Sequence, residues 1–596
     1  MKNIFLILIV LGAYLGQAQS MQLADNYADQ GEYEKAYSIY AKAYASNKRN
    51  FSLLFRMVEF QQQLENYERA DSLLNAGEKI AYNKLLFPIE KGYNASLQGK
   101  DTIASTYYKQ AILQIDSIPR YGNAIARSFE QRSLIDEAIE SYERIMAVDS
   151  TANYSYQTAR LYGEQGKLDL MFEKYLDLME SNEQIVPRIQ ATFSQYVTDD
   201  AASTSNQALR KALLTRLRKE PKLLYNQILS WLFVQQKDFN AAFIQEKAVY
   251  NRTKENMFNL QDLAQTAHEE KDDLAAQNIL DYIVENSQVA RVRYLAQVLQ
   301  LRIKSKKAQT ADFPSIKLEY DSMLEAFGKD EQSIVLQHDY ANFLAFKSGD
   351  VQQAIDLLSD LEKEKLGKYQ KAENKMLLAD ILVLQEQFNR ALILYSQIQN
   401  DLPNAEIAQE SQYKVARTSY FQGDFKWSLT QLKVLRGATS KLIANDAMQL
   451  SLTISDHSLY DTTFVALKAF AKAELKQYQN KNPEALSLYQ ALLQDHKGDP
   501  IEDEALLQQA KLFELEGNIE KAEENYLSII SNYGDGILAD DAFYRLGILY
   551  EEQLEKLDEA QKQYEKIIYN HADSIFFIDA RRRYRRLRGD FETTES

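Results

Sequence analysis

Residues 23–45, LADNYADQGEYEKAYSIYAKAYA, read as two short amphipathic helices joined by a tight turn. Ala24 and Tyr27 lie three apart and therefore share one helix face. Gly31 stands where the chain must leave the first helix, which a residue without a Cβ does at little cost. Ala36 opens the second helix, and Tyr40 and Ala43 continue its apolar face. Small side chains at Ala24 and Ala36 let the two backbones approach, and Tyr27 and Tyr40 fill the space beside them. The unit recurs: Ala36, Ala70, Ala104 and Ala138 are each 34 residues apart, and Met171 follows after 33. A hairpin repeated at a steady interval can bury its apolar face only against its neighbours, so the pattern specifies a stacked array.

This spacing resembles the tetratricopeptide repeat family, whose motif has a small residue at its eighth position, an aromatic at the eleventh, alanine at the twentieth and an aromatic near the twenty-fourth. Here those are Ala24, Tyr27, Ala36 and Tyr40. They recur as Ala126, Phe129, Ala138 and Tyr142, and as Ala510, Phe513, Ala522 and Tyr526. The resemblance implies an all-α, right-handed superhelical solenoid of tetratricopeptide helix-turn-helix repeats.

Composition agrees with burial and with helix. A hydrophobic content of 45% excludes disorder. Eight prolines and 20 glycines in 596 residues are few for an all-β chain. The net charge of −16 argues against general nucleic-acid binding. With no cysteine there are no disulfides, thiolate nucleophiles or cysteine-ligated metals. At the N-terminus, Lys2, the apolar run Ile4 to Leu15 and the small-x-small Gly16-Gln17-Ala18 make a secretory signal peptide, residues 1–18, cleaved after Ala18. The run is shorter than the roughly 20 apolar residues of a membrane span. No later segment is long and apolar enough to span. The mature chain is therefore expected to be exported and soluble, in a periplasm or outside the cell.

The register divides the mature chain into an N-terminal array, 19–304, with a period of about 34, and a C-terminal array, 333–596, with a period of about 37 and a basic terminal helix. Residues 305–332 are expected to be an irregular connection between them. The motif fades between Ser181 and Pro221, where a degenerate repeat is expected with Ala208 near the alanine position. It returns at Asp238-Phe239-Asn240-Ala241. In the second array Ala354, Ala391 and Ser428 are 37 apart, as are Ala485 and Ala522, and Ala560 follows after 38. The 57 residues from Ser428 to Ala485 point to lengthened helices around Leu442 to Ala473. Residues 411–429 and 540–568 resemble the longer variant of the repeat. That variant is found in bacterial envelope proteins such as the outer-membrane assembly lipoprotein and the Tol-associated cell-division coordinator. The chain lacks the lipidated cysteine of the former.

Candidate chemistry is sparse. None of the histidines His268, His338, His457, His496 and His571 has a second histidine within a helical turn, so no metal site and no cofactor are expected. The register places His268 at an exposed helix end. Gly92 to Lys100 and Gly163 to Lys167 have the wrong spacing for a phosphate loop and fall where repeats turn. Acidic pairs such as Glu502-Asp503-Glu504 and Asp540-Asp541 read as solvated helix starts. No nucleophile elbow is visible, so the chain reads as a non-enzyme.

Partner contacts follow from the resemblance, which implies ligand-facing residues on the first helix of each repeat. These include Asn123, Arg127, Tyr156 and Arg160, with Arg127 and Arg160 stacked to grip a carboxylate. Tyr413, Arg417, Tyr420 and Phe421 form a similar aromatic-basic face. The run Arg581, Arg582, Arg583, Arg585, Arg586 and Arg588 either complements its own helix dipole or meets an anionic partner. The expected function is a scaffold binding proteins or extended peptides, without nucleic acid, in a cell-envelope assembly. Two alternatives stay open: a chaperone-like carrier for outer-membrane clients, and an enzyme hidden in 181–221 or 436–475.

Overall fold

A computed structural model describes residues 21–435, 437, 440–458 and 463–589, so the expected signal peptide lies outside the described residues. Among them there is no strand; antiparallel helix pairs follow one another along the chain. Two compact units are present, Met1–Ala296 and Gln297–Ser596. Residues 305–332 contain the end of the helix Ala290–Lys307 and all of Phe313–Phe327, which pack as a hairpin with the Tyr320 hydroxyl 3.4 Å from that of Ser305.

A turn residue in the left-handed region sets the register. It is Gly31, Glu65, Gly99, Ser133, Gly166, Lys237 and Lys271 in the first unit. In the second it is Gly349, Glu386, Gly423, Asn480, Gly517 and Glu555. Five residues later comes a buried small residue: Ala36, Ala70, Ala104, Ala138, Ala242 and Ala276, then Ala354, Ala391, Ser428, Ala485, Ala522 and Ala560, with Met171 the one large exception. A non-glycine residue in this conformation costs about 1–2 kcal/mol. The turn holds it by closing helix-end hydrogen bonds, as from Asn66 N–H to the Gln61 carbonyl (2.8 Å) and from Leu134 N–H to that of Phe129 (3.0 Å).

This register corrects one sequence reading: the buried residue after the Lys237 turn is Ala242, not Ala241. Where serine replaces alanine, the Ser428 hydroxyl donates to the Ala416 carbonyl of the facing helix (2.8 Å), so no polar atom is stranded.

The small positions face an aromatic wedge. A Cβ on Gly92, in the helix Phe87–Ser96, would lie 2.5 Å from the Tyr108 ring on Asp101–Ser117. One on Gly547 would lie 2.6 Å from the ring of Tyr564. The rings of Tyr142, Tyr175, Tyr320, Tyr395, Tyr489, Tyr526 and Tyr564 are all fully buried in this way.

Two helices end in a π-turn, Leu344–Ser348 and Leu549–Gln553. The second absorbs one extra residue and accounts for the 38-residue step from Ala522 to Ala560. The 57-residue interval holds an additional helix, Lys441–Ser458, rather than lengthened ones. It packs against Phe425–Leu435 and Glu406–Phe421, and Val465–Tyr478 also reaches Glu406–Phe421 directly.

Gly92→Ala forces the Tyr108 ring aside and should destabilise its hairpin by about 1–3 kcal/mol. Hydrogen exchange should show faster exchange in Phe87–Ser96 and Asp101–Ser117 than in distant repeats. Unchanged protection there would contradict the wedge.

Candidate functional site

Five of the buried tyrosines put their hydroxyls on a carboxylate of the first helix of their hairpin, whereas Tyr108, Tyr320 and Tyr489 meet Ser96, Ser305 and Gln477. Tyr40 donates to Asp25 (2.7 Å), Tyr142 to Glu130 (2.6 Å), Tyr395 to Asp380 (2.6 Å), Tyr526 to Glu514 and Tyr564 to Glu551 (2.7 Å). The carboxylate then pairs with a cation of the next repeat: Asp25 with Arg56 (3.3 Å), Glu130 with Arg160, Asp380 with Lys414 (2.6 Å), Glu514 with Arg545 (3.7 Å) and Glu551 with Arg583 (3.0 Å). A tyrosine-carboxylate-cation ladder thus links neighbouring repeats in both units. Its spacing of 12 to 15 residues from carboxylate to tyrosine was available in the sequence and went unread.

The ladder decides what the candidate residues can do. Arg160 is bonded to Glu130 and Glu164, so it does not stand beside Arg127 as a second free guanidinium. Arg127 is exposed and lines a cleft of about 270 Å³ with Gln131, Gln157 and Arg160. Tyr156 lines a neighbouring cleft of about 340 Å³, with the Arg188 guanidinium 4.5 Å above its ring. Asn123 is half-buried and lines neither.

In the second unit the candidates converge. Tyr413, Arg417 and Phe421 line a cavity of about 650 Å³ together with Asp380, Lys414, Asp446 and Tyr478. Arg417 lies 5.3 Å above both the Phe421 and Tyr478 rings, a cation-π clamp on a single guanidinium. Tyr420 lies behind this first cavity: it is 1% exposed, its hydroxyl donates to Glu474 (2.6 Å) across 54 residues, and with Tyr413 and Arg417 it lines the second cavity.

The cavity closes because the end of Val465–Tyr478 returns onto earlier repeats. The Tyr478 hydroxyl donates to the Asp380 carbonyl (3.1 Å), Gln479 to the Leu384 carbonyl (3.1 Å) and Asn480 to the Phe346 carbonyl (2.9 Å). Lys476 pairs with Glu386 (2.9 Å), and the amide of Gln479 and this ammonium hold the Glu386 carboxyl below its usual range.

A second cavity of about 610 Å³ shares Tyr413, Arg417 and Asp446 with the first. Here His457 Nε2–H donates to Glu504 (3.1 Å), and Asp503 adjoins it. Burial and the neighbouring Glu504 push the Asp503 carboxyl up to about 8, while hydrogen bonds from His457 and Asp503 hold Glu504 low. The two carboxyls titrate as a pair. Glu502-Asp503-Glu504 is therefore a half-buried helix start and not a solvated one.

Two further histidines are also engaged. His268 meets Asp273 (2.5 Å) with a side chain only 11% exposed, not at an exposed helix end, and His338 Nε2 lies 3.2 Å from the Asn374 amide oxygen. Among the described residues no group of three His, Asp or Glu side chains is placed to hold a metal ion.

The arginine run is partly neutralised. Arg583 pairs with Asp579 (2.8 Å), Glu551 and Glu552 (2.8 Å), Arg586 with Glu551, and Arg582 with Asp579. Arg588 lies over the Tyr584 ring. Arg581 and Arg585 point outward and are exposed. The terminal helix Phe577–Arg588 therefore uses part of its charge to extend the ladder by one step.

A carboxyl whose pKa is raised by folding stabilises the fold below its unfolded value, and that stability is lost as pH rises through the folded value. For Asp503 the window runs from about 4 to about 8. Asp503→Asn should therefore leave stability unchanged near pH 4 and raise it near pH 9 by about 1–2 kcal/mol, allowing for solvent screening. Chemical denaturation at both pH values checks this.

Comparison with known proteins supplies the remaining finding. Tetratricopeptide repeat family profiles match residues 470–537 and 541–574. Similar solved structures include Naa15/Naa10 bound to HypK-THB, at 12% identity over 97% of this chain and 94% of that chain, with a TM-score of 0.29. Yeast Tom70 matches at 12% identity over 95% and 98%, with a TM-score of 0.28. The APC/C hetero-tetramer Cut9-Hcn1 matches at 12% identity over 96% and 97%, with a TM-score of 0.22. No curated protein matches. Residues 470–537 and 541–574 thus match tetratricopeptide repeats, and the all-α hairpins before them are built on the same left-handed turn and buried small residue.

Proposed function

We propose that this chain is an exported, non-enzymatic scaffold that holds protein or extended-peptide partners in a cell-envelope assembly. Repeats of this kind suggest a protein-binding scaffold. The observation that carries the reading is the pair of adjoining cavities in the second unit, which share Tyr413, Arg417 and Asp446. Each falls within the range of about 300–1,000 Å³ typical of ligand sites. Aromatic side chains and arginine are the residue types that anchor interfaces.

The non-enzymatic reading is supported by the contacts of the irregular stretch 436–475. There His457 bonds Glu504, and among the described residues no serine or threonine hydroxyl is hydrogen-bonded to its ring. Export is supported by the N-terminal run from Lys2 to Ala18. A client-carrier role is the second reading, favoured by the exposed Leu442, Met448 and Leu452 on the inserted helix.

Two measurements test the proposal. The intact mass of the exported protein should correspond to a chain beginning at Gln19. Cross-linking and affinity capture from envelope extracts should recover a stoichiometric partner, with recovery falling about tenfold for Tyr413→Ser combined with Arg417→Ala. Equal recovery by native and variant protein overturns the assignment of the cavities. Recovery of many unrelated unfolded chains favours the carrier.

A further inference from the structure

The second cavity differs from the first in its charge. Asp446, Asp456, Glu474, Asp503, Glu504 and Asp541 line it, and the one guanidinium among its lining residues is Arg417, which is clamped on two rings. Asp446 and Asp456 make no ion pair among the described residues, and Asp541 makes none within 4 Å although Lys511 and Arg545 lie near enough to act on it. Like charges gathered at close range repel, and burial strengthens the repulsion. Burial and the adjoining Glu504 carboxylate raise the Asp503 carboxyl in the same way.

A separate observation points the same way. His457 lines the cavity at 7% exposure, and its Nδ1 has no hydrogen-bond partner. Buried polar atoms are rarely left unpaired unless something completes the site.

The rest of the wall is apolar, with Leu450, Phe470, Pro500, Leu507 and Ile537. A ligand matching both features has a cationic head on an apolar stem. Lysine and arginine side chains have this construction.

We infer that this cavity receives a lysine or arginine side chain of a partner polypeptide, next to an apolar residue. The head sits among Asp456, Asp503, Glu504 and Asp541, and the stem lies along Leu450 and Leu507. This deepens the protein-binding reading above and rests on it. The charge complementarity selects a basic, apolar segment over an acidic one.

The test uses the full mature chain and labelled decapeptides with capped ends. One alternates leucine and lysine, a second carries the same lysines acetylated, and a third has glutamate in their place. Fluorescence anisotropy should show binding of the first, about tenfold weaker binding of the second and none of the third. Asp456→Asn with Asp503→Asn and Asp541→Asn should weaken the first peptide about tenfold or more. A charge-matched control, Glu516→Gln with Glu524→Gln and Glu565→Gln at exposed positions, should change it less than about twofold.

Ile537→Lys tests the same space without removing an acid. Ile537 is 77% exposed at the rim, so the variant should fold normally and still weaken binding by placing the chain's own ammonium there. Circular dichroism checks folding in each case. Equal weakening by the two triple variants, equal binding of the acetylated peptide, or no binding by the native chain overturns the inference. If the acid-depleted triple variant still captures the partner that depends on Tyr413 and Arg417, only this assignment fails and the scaffold reading stands.

Discussion

The array depends on how closely two antiparallel helices can approach at a small residue. At Gly92 and Gly547 even a methyl group would collide with the ring opposite. The tyrosine therefore lies flat against backbone, with its body in the core and its hydroxyl at the edge. A hydroxyl delivered to the edge of a hairpin needs a partner, and in five hairpins a carboxylate of the preceding helix supplies it. The cation of the following repeat then neutralises that carboxylate. A packing requirement inside one hairpin thus becomes an electrostatic connection between hairpins. This suits a fold whose members are stable only as neighbours.

The second unit departs from regular stacking at one place, and its cavities lie there. Lys441–Ser458 is inserted between two hairpins, and Val465–Tyr478 then folds back until its end reaches residues 90 to 134 positions earlier. Regular repeats expose a continuous face. The insertion divides that face into two clefts with different character, one aromatic with charges of both signs, the other acidic and apolar. Arg417 stands between them, held by the rings of Phe421 and Tyr478.

The hairpin pattern was legible in the sequence because it is local: Ala24, Tyr27, Gly31, Ala36 and Tyr40 act within one turn of chain. The 37-residue spacing in the second half was legible for the same reason. What could not be read depended on partners far along the chain. Arg160 looks available until Glu130, 30 residues earlier, is placed beside it. Tyr420 belongs to a motif-like cluster, yet Glu474 and the returning helix bury it. The 57-residue interval was visible, but spacing alone does not separate longer helices from an additional one. The step from Ala241 to Ala242 was missed because two alanines stand side by side and only the left-handed Lys237 distinguishes them. The titrating pair Asp503 and Glu504 resembles any acidic helix start until His457, 47 residues before Glu504, lies against it.

The return of Tyr478, Gln479 and Asn480 onto Asp380, Leu384 and Phe346 has a mechanical meaning. A solenoid joined only through adjacent members stretches under load by parting its seams one after another. Here a clasp spans about a hundred residues, with the side chains of Tyr478, Gln479 and Asn480 fastened together to three backbone carbonyls. Tension applied across residues 346–480 would have to shear several bonds together. That segment is consequently the stiff part of the C-terminal unit, and pulling on the chain would extend its less tightly tethered hairpins before it deformed the clefts around Arg417.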